Sequence, residues 1–238
     1  MSGVVETDLI ERMRLETVKL RHSKVDLALH RLKDGGDERA HPLLLLHGLG
    51  EQSPEKLPGE FSRWSGAVWA LDFTGHGEST VPKGGGYTAE LMLADTNSAL
   101  EFLGEATVVG RGLGGYIALL AAGARPDVVT GAAILDGPGL IGGAPQPGSY
   151  YITMPDTAAI APPDPFALVE LARDIRPPDY AAAFVWLATN ASLLEYPISV
   201  CGMLRPPWLE AVVGEPGVLE TDLASALDMY AKARKNRS

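Results

Sequence analysis

The chain has 238 residues and a mass of 25.2 kDa, with 46% hydrophobic and 21% charged residues and a mean hydropathy of +0.05. This composition excludes wholesale disorder, a collagen-like repeat and an integral membrane protein, and the length predicts one domain that buries roughly 70% of the extended chain's surface. A net charge of -10 argues against a nucleic-acid or anionic-membrane surface, and a single cysteine, Cys201, excludes an intrachain disulfide and a multi-thiolate metal site.

In chain order, residues 1–14 mix charged and isolated apolar residues and lack the apolar stretch of a secretory signal. The longest apolar runs, 43–46, 116–122 and 181–188, fall short of the ~20 residues that span a bilayer, so a cytoplasmic protein without membrane contact is expected. Alternation over 18–20 and 27–32 predicts a strand pair, broken at Asp34-Gly35-Gly36-Asp37. Continuous apolar runs predict buried strands at 43–46 and 68–71. A helix over 88–103, a strand at 107–109, a helix over 113–124 and a strand at 132–135 follow. Further strands are predicted at 198–200 and 209–213, then a closing helix over 219–233. Such alternation predicts an α/β fold with a mostly parallel sheet covered on both faces. Between Gly137 and Tyr196 lie nine of the 18 prolines, around two short helical pieces at 166–173 and 180–194. This stretch reads as an inserted lid.

Three segments carry a resemblance: Leu43-Leu44-Leu45-Leu46-His47-Gly48-Leu49-Gly50; Leu71-Asp72-Phe73-Thr74-Gly75-His76-Gly77-Glu78-Ser79; and Val108-Val109-Gly110-Arg111-Gly112-Leu113-Gly114-Gly115-Tyr116. In this order, across residues 18–136, they resemble the α/β-hydrolase superfamily. The resemblance implies a central sheet flanked by helices, with a small helical lid inserted after the sixth strand. The core would be residues 1–137 and 196–238, and the lid 138–195. It also implies an oxyanion-hole amide from the first segment, a D-x-x-G-x-G-x-S turn in the second and a nucleophile elbow in the third.

The departures carry the functional expectation. The elbow pattern G-x-S-x-G reads Gly110-Arg111-Gly112-Leu113-Gly114, which puts Gly112 in the nucleophile slot. The acid slot after the lid falls on Arg205 and the histidine slot on Glu215, and these two opposite charges are placed to pair. All five histidines (22, 30, 41, 47 and 76) precede the elbow. The glycine elbow is similar to that of the N-myc downstream-regulated proteins, a non-enzymatic branch of the superfamily.

No catalytic residue, metal or cofactor is therefore assigned. Ligand-pocket candidates are His47, Gly48, Leu49, Arg111, Gly112, Leu113 and Asp136. Arg111 is a candidate anion holder beside a helix N-terminus, with a surface or packing role as the plainer reading. The plainer reading of His47 is a structural backbone contact, and that of Asp136 is loop capping. Asp72, His76 and Ser79 read as turn residues, Cys201 as a buried small hydrophobe on a central strand, and Tyr150, Tyr151 and Trp186 as lid packing or pocket lining. The expected function is a pseudoenzyme that binds a small apolar molecule or a protein partner. The alternative is a non-hydrolytic or atypical enzyme (lyase, isomerase or weak esterase) using His47, Asp136 or Glu215 as base. A hydrolase with a nucleophile elsewhere, such as Ser149, is the least favoured.

Overall fold

The computed structural model describes residues 14–22, 24–37, 40–141, 162–174 and 176–233. Ser149, Tyr150 and Tyr151 lie outside them. The chain opens with an antiparallel pair, β1 (Glu16–His22) and β2 (Val25–Lys33), in which Val18 and Leu20 turn inward from an otherwise exposed edge. The β strands Leu43–Leu46 (β3), Val68–Asp72 (β4), Ala106–Arg111 (β5) and Val129–Leu135 (β6) follow, almost wholly buried, as continuous apolar runs in a two-face-covered sheet must be. Ile198–Val200 (β7) and Val218–Glu220 (β8) complete an eight-stranded sheet of order β1-β2-β4-β3-β5-β6-β7-β8. It is parallel from β4 to β8 and antiparallel at the β1 and β2 edge.

Local chemistry sets the helices. The α1 helix (Ala89–Leu103) starts at Thr88, whose hydroxyl accepts the Leu91 N–H at 3.2 Å. The α2 helix (Leu113–Ala124) follows β5 with one intervening residue, Gly112, and is buried along nearly its whole length. The α3 helix (Pro165–Arg173) is capped by Asp164, α4 (Pro178–Ala191) begins on Pro178, and α5 (Pro207–Glu210) follows Pro206. The α6 helix (Leu223–Ala233) closes the described chain. Helices α1 to α5 cover the larger core on one sheet face, while α6 and the segment around Phe61 and Trp64 cover a smaller core on the other. No helix of the described residues is long and apolar enough to cross a membrane.

Two expectations are corrected. Residues 209–213 form the end of α5 and a turn, not a strand: Pro206 and Pro207 pre-set the first helical turn, and Trp208, Leu209 and Val212 are buried at helical spacing. The last strand is instead Val218–Glu220, paired with β7 from Ile198↔Val218. Cys201 lies just beyond β7, near the sheet edge and half-buried; burial pushes its thiol up to about 12, which leaves it inert.

Candidate functional site

The elbow is built as the resemblance implies. Strand β5 ends at Arg111, Gly112 turns with φ 58° and ψ -125°, and α2 starts at Leu113. Two backbone N–H groups converge above that turn, from Leu49 in the loop after β3 and from Leu113 after the nucleophile slot. These are the positions that supply an oxyanion hole in this architecture. Both donate to the carbonyl oxygen of Pro138, at 3.0 and 2.9 Å. Those distances match what an oxyanion hole offers a reacting acyl oxygen. The Pro138 carbonyl thus accepts both of these amides. A Cβ at Gly112 would lie 2.7 Å from the Gly137 carbonyl carbon and closer still to the Pro138 oxygen.

The loop that delivers Pro138 is clamped from behind. Trp208 donates its indole N–H to the Leu140 carbonyl at 2.8 Å. Arg176, buried just before α4 with its guanidinium 4.8 Å from the Tyr116 ring, donates to the Gly139 and Leu140 carbonyls. Burial pushes Arg176 down to about 10, still charged at neutral pH. Sequence reasoning missed Pro138, Arg176 and Trp208. The one signal was Gly137-Pro138-Gly139 directly after a buried strand, a dipeptide pattern that marks a tight turn at the sheet's carboxyl edge.

The predicted site residues divide into two groups. Gly48, Leu49, Gly112 and Leu113 gather around the Pro138 carbonyl. His47, Arg111 and Asp136 instead line a cavity on the α6 side of the same strand ends. The anion that Arg111 holds is the chain's own Glu51 carboxylate, at 2.8 Å. Asp136 accepts the N–H groups of Met203 and Leu204 at 2.8 and 3.0 Å, so it caps the loop after β7. Arg205 pairs with Glu220 at 2.6 Å and not with Glu215, which is exposed in the turn before β8. The register change at β8 explains the correction: the position after the last strand falls on Thr221 and Asp222, and Asp222 caps α6 through Ser225. Trp186 is 64% exposed and lines no wall of that cavity.

The buried histidines hold structure. His47 Nε2 accepts the Phe73 N–H at 3.1 Å, so the ring proton sits on Nδ1, which donates to the Gly48 carbonyl at 2.8 Å. His76 repeats the arrangement, with Nε2 accepting from Gly50 and Nδ1 donating to Thr74. Burial lowers both, His76 to about 3. A protonated ring would point an N–H at a backbone N–H, so neither is available as a base at neutral pH. His30 bridges Thr17 and Asp72, and His41 meets Thr107. Because the folded state keeps His76 neutral below its unfolded pKa of about 6.5, its contribution is full above that pH and fades on acidification towards 3. We expect stability to fall by roughly 2 kcal/mol from this residue between pH 7.5 and 5. Thermal unfolding at the two pH values checks this, and the drop should be smaller in His76→Gln.

Asp72 organises the turn after β4. Burial would raise its carboxyl, but the His30 ring and the N–H groups of Glu78 and Ser53 hold it well below the usual range. Ser79 Oγ donates to the Asp72 carbonyl and accepts the Ala28 N–H. Among the described residues, no group of three or more His, Cys, Asp or Glu is placed to hold a metal ion.

The sequence profile described as "Alpha/beta hydrolase family" matches residues 43–235. No curated protein sequence matches the chain. Among solved structures, it is similar to the thioesterase domain from the curacin biosynthetic pathway (14% identity, TM-score 0.60, covering 93% of this chain and 96% of that one). It is also similar to the haloalkane dehalogenase DbeA from Bradyrhizobium elkani (16%, 0.60, 94% and 99%) and to a hypothetical protein from Pseudomonas aeruginosa PAO1 (18%, 0.58, 92% and 97%). At these identities the likeness speaks for the fold alone.

Proposed function

Because this chain belongs to the alpha/beta hydrolase family, its site must be judged against acyl-transfer chemistry, and we propose that it is a member without hydrolase activity that binds a small molecule. The observation that carries this reading is the Pro138 carbonyl, which takes both converging amides and the space above Gly112. Hydrolysis in such a fold needs a nucleophile, a base to take its proton and an empty oxyanion hole. Gly112 offers no attacking atom, no histidine follows residue 76, and the hole is filled from within.

The atypical-enzyme alternative loses support from the same geometry. His47 spends its lone pair on Phe73, Asp136 caps a loop, and Glu215 lies before β8. We read residues 138–195 as an insertion whose first residues serve as the plug. Its helices hold to the core through Asp164 with Tyr87, and through Glu170 with the Gly86 and Tyr87 N–H groups.

The test is turnover of p-nitrophenyl acetate and butyrate by the purified chain. The expected rate equals that of the same concentration of a denatured sample. Saturable, enzyme-like turnover that persists in His47→Ala and Glu215→Ala variants would overturn the proposal.

A further inference from the structure

Parallel neighbours β3 and β4 are joined by residues 47–67, and this crossover carries only a 3-10 turn at Gly59–Phe61 where a helix is usual. The strand ends beneath it stay partly open: Leu135 lies on β6, inside the sheet between β5 and β7, yet is only half-buried. A cavity of about 420 Å³ lies there, within the range of small-molecule sites. Leu45, Val109 and Leu135 form its floor. Leu45 and Val109 are register partners on β3 and β5, and Leu135 is the partner of Arg111, the next residue of β5 on that face. Pro54, Pro58 and Phe61 of the crossover supply the facing apolar wall.

The polar groups of the lining are satisfied from within the chain. Arg111 pairs with Glu51 at 2.8 Å, and Glu51 also accepts the Gly48 N–H at 2.9 Å. Asp136 accepts the Met203 and Leu204 N–H groups. Both ring nitrogens of His47 are engaged, by Phe73 and Gly48. The Arg14 guanidinium takes the Ser53 and Pro54 carbonyls, the Ser53 N–H donates to Asp72, and the Ser53 hydroxyl is buried away from the cavity. Gln52 and Glu60 are exposed to solvent. The wall is therefore tied in place without a ligand. An anion there would meet three carboxylates and one guanidinium that is already paired. A cation would find Glu51 and Asp136 already engaged. Either charge would give up hydration without an equivalent partner, whereas an apolar body gives up none and covers exposed hydrocarbon.

We propose that this cavity, on the opposite side of the strand ends from the plugged elbow, binds an uncharged apolar small molecule, held by fit against Leu45, Val109, Leu135 and Phe61. The inference rests on the binding role proposed above and gives it a place and a ligand class.

Three probes share one aromatic body: propylbenzene, 3-phenylpropylamine and 3-phenylpropionate, titrated into the isotope-labelled full chain by NMR. Saturable shifts at Val109, Leu135 and Phe61 are expected with propylbenzene, and binding about ten-fold weaker or less for both charged probes. Leu135→Trp projects an indole into the cavity from a half-buried position and should weaken propylbenzene at least about ten-fold. Glu60→Gln, on an exposed side chain, should leave propylbenzene affinity within about two-fold. The comparison of probes uses the parent chain, so it decides the matter even where a variant does not fold. No saturable binding of propylbenzene, equal or tighter binding of either charged probe, or an affinity indifferent to a folded Leu135→Trp would each overturn the inference. So would a loss of propylbenzene binding in Glu60→Gln. Ester turnover is read separately. An inert chain that ignores propylbenzene defeats only this inference, and a chain that cleaves esters yet binds propylbenzene defeats only the non-hydrolytic reading.

Discussion

Replacing Gly112 with serine should yield a less stable protein and no ester hydrolysis, although it restores the family's elbow pattern. Two costs add. A side chain at φ 58° incurs backbone strain of about 1–3 kcal/mol. The new Cβ, 2.7 Å from the Gly137 carbonyl carbon and nearer to the Pro138 oxygen, forces the loop out of its bed at a further ~1–3 kcal/mol. Together they come to about 2–6 kcal/mol, and for a chain of this size each kcal/mol lowers Tm by about 2–4 °C, so a drop of roughly 4–24 °C is expected. Gly112→Ala should lose nearly as much, since the cost lies in the Cβ and not the hydroxyl. Even a serine that was accommodated would stay protonated, because the nearest histidines are held neutral with their lone pairs engaged. A Gly112→Ser protein as stable as the parent, or one that turns over nitrophenyl esters, would contradict the account.

The second large effect is expected from Asp72→Ala. This carboxylate is fully buried and receives the His30 ring at 3.0 Å, the Ser53 N–H at 2.7 Å and the Glu78 N–H at 2.8 Å. Its loss strands all three, and removing one member of such a buried set costs about 3–5 kcal/mol. The corresponding fall in Tm is roughly 6–20 °C. The same turn requires glycine at 77, where φ is 50° and a Cβ would sit 2.7 Å from Asp72 Oδ1 and closer to Oδ2. Acid dependence supplies a second readout. A carboxyl depressed in the folded state contributes fully above its unfolded pKa of about 4, and that contribution is lost as pH falls through the lower folded value. The Ala variant should lack this part of the acid transition. An Asp72→Ala protein within about 1 kcal/mol of the parent, measured by denaturant melting, would show that the turn does not depend on the carboxylate.

How much of this could be read from residues follows from what each feature rests on. Strand β3, helix α2 and strand β7 form at the predicted bounds because each is a short, strongly apolar run stopped by a polar residue, glycine or proline. The prediction failed at 209–213, where apolar residues of a buried helical turn imitate a strand until Pro206-Pro207 is given its full weight. In the site, Gly112 and the early histidines were legible because they are side-chain facts. The plug was not, because a backbone carbonyl has no side-chain signature and its amide partners lie 89 and 25 positions away in sequence. The assignment of Glu215 to the histidine slot failed for the same reason as the strand, since a shift of the last strand moves every position counted from it.

Amide hydrogen exchange at Leu49 and Leu113 reads out whether the chain itself fills the oxyanion site. Both N–H groups donate to Pro138, so they should exchange only when the loop carrying it opens. Protection factors on the order of 10³ or more are expected at both amides. Exchange at either amide close to the unprotected rate would contradict this.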